Sequence, residues 1–207
     1  MRAIQLPVKP ISQLFPIPML MGCEGVSAAM ILQYNHIDVK ATKIMKHWPK
    51  HPNNPRKGYV GHQSIIKLGH HQTIFPTAFV PYLKRFTPQV KDSSGTSLTE
   101  LEDVLKQGQP VVIYPTSRAK RPVKQRFKID HHQEQLVSNI HITVLTGFDD
   151  TYYYYVDPLW AQLCDQLHVP AIFPGRLQRN RIPKAQLQRS FDAAGRMSFY
   201  IDAPSPR

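Results

Sequence analysis

Cysteine is scarce in this sequence. Its 207 residues include 2, Cys23 and Cys164, too few for a disulfide framework. Long hydrophobic runs are missing as well. No stretch of about 18 uninterrupted apolar residues occurs, which excludes a membrane-spanning helix. The glycine-rich fingerprints of dinucleotide and nucleoside-triphosphate binding are absent, and so are the His-Glu-x-x-His and Cys-x-x-Cys patterns of zinc peptidases and redox sites. Glycine is sparse, 10 against 19 prolines, so connections are stiff and long regular elements few. Acid is sparse too. With 14 Asp and Glu against 26 Lys and Arg, the formal charge is +12, which draws acidic partners and says nothing of the fold.

What is present suffices for a folded domain. Hydrophobic residues make up 42% and charged residues 19%, which excludes broad disorder. No repeat or low-complexity tract divides the chain, so residues 1–207 read as one domain. Near the N-terminus, Arg2 is followed by Pro7, Lys9, Pro10, Pro16 and Pro18, which interrupt the apolar helix that a secretory signal needs. Leu20-Met21-Gly22-Cys23 looks like a lipoprotein cleavage box, but Pro16 and Pro18 stand where its apolar helix should be. The default is a cytoplasmic protein, with an extracellular or cell-envelope one as the alternative.

Local patterns predict a helical half followed by strands. Residues 3–12 read as extended, with Pro7 and Pro10 marking an edge or irregular strand. From Cys23 onward, Val26, Met30, Tyr34 and Ile37 form one helical stripe, with Cys23 in or near the first turn. A short helix around 41–48 turns Ile44, Met45 and Trp48 inward, residues 49–75 form a long loop region, and Pro76 opens a third helix. Ser97-Leu98-Thr99-Glu100 is a capping box that starts a helix running to about Lys106 and ended by Gly108. Strands are expected at Val111–Tyr114, Ile140–Thr146 and Tyr152–Val156, the last two joined by the tight turn 147–150. Pro183 opens a last helix and Met197–Ile201 is a last strand. The order is that of an α+β fold. Between 116 and 139 the chain reads as a basic insertion, either a flap over a site or a solvated loop, with Arg118, Lys120, Arg121, Lys124, Arg126 and Lys128 ahead of its first acid, Asp130.

One constellation could perform chemistry. A thiol attacks as thiolate, and a helix N-terminus or a nearby imidazolium lowers its pKa. Cys23 has the first by position, although the charge of Glu24 beside it opposes ionisation. Of ten histidines, His70-His71 and His131-His132 sit among polar residues and are expected at the surface. His141 differs, because it lies inside the apolar run 140–146, where a buried imidazole needs a hydrogen-bond partner. Across the hairpin stands Asp157, fixed by Pro158 at the end of a strand. An Asp accepting from one imidazole nitrogen fixes the tautomer and leaves the other for the thiol. Cys164, in a short helix or loop at 159–167, is expected as a partly buried thiol without a role. Each residue alone has an ordinary structural explanation; the order Cys–His–Asp is what singles them out.

Here the sequence resembles a family. Met21-Gly22-Cys23-Glu24-Gly25-Val26-Ser27-Ala28-Ala29-Met30 is similar to the Gly-Cys-Glu-x-x-Ser-x-x-Met segment of papain-like cysteine peptidases related to the bacteriocin-processing, double-glycine peptidases. His141 with Gly147-Phe148-Asp149-Asp150, and Val156-Asp157-Pro158-Leu159, resemble the block that carries the other two members of the triad. The resemblance runs from about residue 5 to 201 and skips the basic segment. It implies a papain-like fold, Cys23 as nucleophile on the central helix, His141 as base and acid, and Asp157 as its orienting partner. It also implies a Gln that helps form the oxyanion hole, for which Gln13 is the candidate, ten positions before the Cys. No cofactor or metal is implied, and the expected partner is a peptide or protein substrate, acidic peptides included. The same triad would serve an amidase, a deamidase or an acyl transferase. A non-enzymatic binder of nucleic acid or of an anionic surface would use the charge alone. Against nucleic acid stand the missing binding signatures and the single aromatic, Phe127, inside the basic run. The oligomeric state is not encoded in any pattern found.

Overall fold

The structure, a computed structural model, describes residues 3–206, so Arg2 lies outside the described residues. Strand β1 (Ile4–Gln5) is shorter than the extended segment expected at 3–12, since Pro7 and Pro10 have no N–H to extend a ladder. Helix α1 (Cys23–Tyr34) follows, then α2 (Ala41–His47) and α3 (Pro76–Leu83), with irregular chain between the last two. Strand β2 (Val90–Asp92) leads to α4 (Leu98–Lys106). There Ser97 accepts from the Glu100 N–H while the Glu100 carboxylate accepts from the Ser97 N–H, the expected capping box. Strand β3 (Val111–Ile113) precedes a hairpin of β4 (Lys124–Ile129) and β5 (His132–Val137). Strands β6 (Thr143–Phe148) and β7 (Tyr152–Val156) form the predicted antiparallel hairpin. A small ribbon of β8 (Trp160–Gln162) and β9 (His168–Pro170), strand β10 (Arg179–Pro183), helix α5 (Lys184–Ala193) and β11 (Ser198–Ile201) complete the order.

Seven strands make one antiparallel sheet in the order β10-β7-β6-β3-β11-β2, with β1 also pairing to β6. Side chains alternate between its faces. Val112, Val144, Val156 and Phe199 point to a core shared with α1, α2 and α3. Val111, Leu145, Tyr155 and Tyr200 point to a second core shared with α4 and α5. The single helical stripe read from Val26, Met30 and Tyr34 understates α1, because every residue from Glu24 to Leu32 is buried. Such a helix is central, enclosed by the sheet on one side and α2 on another. Gly25 permits this approach: a Cβ there would lie 2.4 Å from Met45 Cγ. In the irregular segments, tyrosine hydroxyls bind backbone carbonyls. Tyr59 donates to Met21 O at 2.7 Å and Tyr114 to Ile74 O at 3.1 Å.

Two local expectations need correction. The strand read at Ile140–Thr146 starts only at Thr143, so His141 precedes β6, its N–H donating to Pro115 O at 2.9 Å. Of the short helix or loop expected at 159–167, the chain takes the second, holding β8 and the turn toward β9, but Cys164 on that turn is exposed, not partly buried. Of the two alternatives for 116–139, a flap over a site and a solvated loop, the segment forms the first. It is the β4–β5 hairpin, whose inner side carries Phe127 and Ile129 while its cations face solvent. At the far side of the sheet, Gln162 treats β10 as a neighbouring strand would: its Oε1 accepts from Arg181 N at 2.7 Å and its Nε2 donates to Arg181 O at 3.2 Å.

Gly147 marks the tightest backbone approach. Strand β1 lies so close that a Cβ there would sit 2.0 Å from Ile4 O, beside the β6–β7 bulge between Leu145 and Gly147. Gly147→Ala should therefore cost about 1–3 kcal/mol in urea unfolding. Hydrogen exchange should show the Leu6 amide, bound to Thr146 O at 2.7 Å, losing protection. An unchanged unfolding midpoint would mean that β1 contributes nothing to stability.

Candidate active site

The N-terminus of α1 is capped by Gly22, which has no side chain to satisfy the first-turn N–H groups. Cys23 opens that turn, half-buried, on the wall of a cleft of about 340 Å³. Gln13, Thr73, His71, His141 and Trp160 line the same cleft. One turn along α1, Ser27 donates to Ile142 O at 3.3 Å, tying the helix to the segment that carries His141.

His141 is buried, and its Nε2 lies 2.7 Å from Asp157 Oδ1. The same oxygen accepts from the N–H groups of Leu159 and Trp160, both at 2.8 Å, so three donors converge on it. A carboxylate only accepts, so Nε2 carries the hydrogen and Nδ1 is the basic nitrogen. The backbone of Asp157 is held as firmly. Its N–H donates to Gln178 O at 2.9 Å, and Gln178 Nε2 donates to Asp157 O at 2.8 Å and to Ile11 O at 3.1 Å. Gln178 thus links the Asp157 strand end to the segment leading into Gln13. Gln13 is buried, with Nε2 donating to Leu20 O at 3.0 Å and Oε1 without a partner. The extra residues 14–20 loop out, which lets a Gln ten positions before Cys23 reach the cleft.

The thiol itself is not pre-ionised by its surroundings. Burial pushes Cys23 up from its ordinary value and the Glu24 carboxylate adds to that, while the Ile142 backbone pulls the other way. The thiol donates to Glu24 Oε2 at 3.4 Å. Glu24 is itself buried, its Oε1 accepting from Thr73 Oγ1 at 2.6 Å and from Ile74 N at 3.3 Å, and burial raises its pKa too. The expectation that Glu24 opposes ionisation thus has a geometric basis.

His71, expected at the surface, is buried in the cleft wall. Its Nε2 meets Val137 O at 2.8 Å, its ring stands edge-on to Phe127 at 4.9 Å, and burial lowers its pKa. The β4–β5 hairpin forms this wall through Gln125 and Phe127. Its turn is tied to residues 53–57: Asn54 Nδ2 and Lys57 Nζ reach Asp130 Oδ2 at 2.8 and 2.9 Å, and Arg56 binds Glu134 through both nitrogens at 2.9 and 2.6 Å. Sequence reasoning missed Thr73, His71 and Gln178, because each lies in an irregular or polar stretch without periodicity. A buried-polar role becomes visible only once the loops are folded against α1 and β7.

With this geometry in hand, comparison with known proteins is decisive for the family. The Peptidase_C39 like family matches residues 5–167. The chain belongs to that family. A curated relative, the uncharacterized protein YvpB of Bacillus subtilis (strain 168), is 29% identical over 150 residues, which span 66% of this chain and 58% of the relative. A crystal structure described as that of a C39-like peptidase from Bacillus anthracis superposes with a TM-score of 0.81 at 22% identity, covering 100% of both chains. The fold is accordingly that of a C39-like, papain-like peptidase, α+β as expected. Among the described residues no helix is long and apolar enough to cross a membrane.

Replacing the Glu24 carboxylate by a neutral amide should ease ionisation of the neighbouring sulfur. A lowered thiol pKa means more thiolate at a given pH, so Glu24→Gln should alkylate Cys23 about tenfold faster at neutral pH. Its rate–pH curve should shift to lower pH. A curve identical to that of the wild type, read by mass spectrometry to separate Cys23 from Cys164, would show that Glu24 does not influence the thiol.

Proposed function

We propose that the protein is a cysteine peptidase that cleaves a peptide bond through a thioester on Cys23. The observation that carries the reading is the buried His141–Asp157 pair, whose His141 lines the same cleft as the Cys23 thiol at the N-terminus of α1. Asp157 holds the imidazole with its basic Nδ1 free for the thiol. In the resting protein the sulfur is protonated, so His141 takes the proton as the sulfur attacks the substrate carbonyl. The C–S bond forms and the carbonyl π electrons move to oxygen. The Cys23 backbone N–H and the second hydrogen of Gln13 Nε2 stabilise that oxyanion. As it collapses, the C–N bond breaks and His141 returns its proton to the leaving amine. Water, deprotonated by His141, then attacks the thioester, and the thiol and a carboxylic acid are released.

Substitutions should separate these roles in a peptide-cleavage assay. Cys23→Ala should leave only background turnover. Asp157→Asn should lower kcat by about 10²–10⁴, because the imidazole would lose its partner and tautomer. Gln13→Ala should cost about 10²–10³. Full activity in Cys23→Ala would overturn the reading. Ammonia release or amine incorporation without chain cleavage would move the reaction to an amidase, deamidase or acyl transferase with the same residues.

A further inference from the structure

Around one side of the cleft, three loops expose large apolar side chains, and none of the three contains an acid. The loop 14–20 presents Phe15 and Ile17, the loop 62–72 presents Ile66 and Leu68, and the loop 171–175 presents Ile172 and Phe173. Leu68 is 89% exposed and Phe173 is 67% exposed, far beyond what a core residue retains. The loops adjoin. Phe15 and Phe173 have ring centroids 5.2 Å apart, Ser12 Oγ donates to Ala171 O and, at 3.4 Å, to Ile172 O, and Met21 N donates to Gln63 O at 2.8 Å. Pro16, Pro18 and Pro174 stiffen two of them, so little ordering entropy remains to oppose docking. Asp and Glu are absent from residues 1–23, 39–91 and 166–191, while exposed Lys67 and Arg176 stand within the apolar runs or beside them.

We infer that these loops form a docking face for an anionic lipid bilayer, with the apolar tips entering the headgroup region and Lys67 and Arg176 at the phosphate level. Charge selects this occupant over a second copy of the chain. Two faces of a +12 protein, each free of acid, repel one another, whereas anionic lipid attracts both. Position favours it over the substrate: Phe15, Ile17, Ile172 and Phe173 lie outside the cleft lining, while Leu20, Ile66, Lys67 and Leu68 carry the face up to the cleft. Docked in this way, the cleft would open close to the bilayer surface. If the peptidase reading also holds, the substrate would be a chain presented at that surface.

The test uses the full chain and sedimentation with vesicles of phosphatidylcholine, with or without about one third phosphatidylglycerol. The wild type should sediment with the anionic vesicles, bind neutral ones much more weakly, and lose affinity on raising salt. The double variant Phe15→Ser with Phe173→Ser should lose about tenfold or more in affinity. Lys67→Gln with Arg176→Gln should flatten the salt dependence. Circular dichroism checks folding, and Ile17→Ser with Ile172→Ser provides a second apolar pair should the first misfold. Cys23→Ala should bind vesicles as the wild type does, which keeps docking and turnover as separate readouts. Wild-type protein that stays in the supernatant would overturn the proposal, and so would apolar variants that bind unchanged. A lipid-free dimer abolished by the same substitutions would overturn it in favour of self-association.

Discussion

The buried contact between His141 and Asp157 governs how the rest of the molecule must be arranged. A carboxylate removed from water is costly unless donors surround it. Here those donors come from His141 before β6 and from the Leu159 and Trp160 amides after β7. They can meet only if the β6–β7 hairpin keeps its register, which the Val144–Val156 pairing fixes at that end. Ser27 then binds Ile142 O, so the N-terminal part of α1, with Cys23 on it, is held to the same structure. Sheet register, helix placement and cleft geometry are one constraint seen from three sides.

The second theme is the balance around the sulfur. A helix N-terminus favours an anion, but burial and the Glu24 carboxylate oppose one. The thiol thus has the Glu24 carboxylate as its hydrogen-bond partner, while His141, held by Asp157, lines the same cleft. Cys164, by contrast, is exposed.

Much of this was legible from residue types. The capping box at Ser97 and the hairpin at 147–150 follow from short-range chemistry that operates wherever the chain is placed. The order Cys23, His141, Asp157 could be read because each residue is out of place in its neighbourhood: a thiol at a helix start, an imidazole in an apolar run, an Asp-Pro after a strand. His71 could not, because a polar neighbourhood in sequence says nothing of the hairpin that folds over it. Residues 159–167 could be read only as a short helix or loop, because the β8–β9 pairing is too short to leave a period. The basic segment was read correctly as charged but not as a hairpin, since its alternation is carried by Phe127 and Ile129 amid cations that dominate the composition.

The side-chain amide of Gln162 occupies the open flank of β10. An unpaired outer strand is a template on which another chain can add its own, and the amide occupies the donor and acceptor that such an addition would need. Arginines at 179 and 181 further discourage it. Addition of a further strand at Arg181 is therefore opposed by groups the chain already supplies.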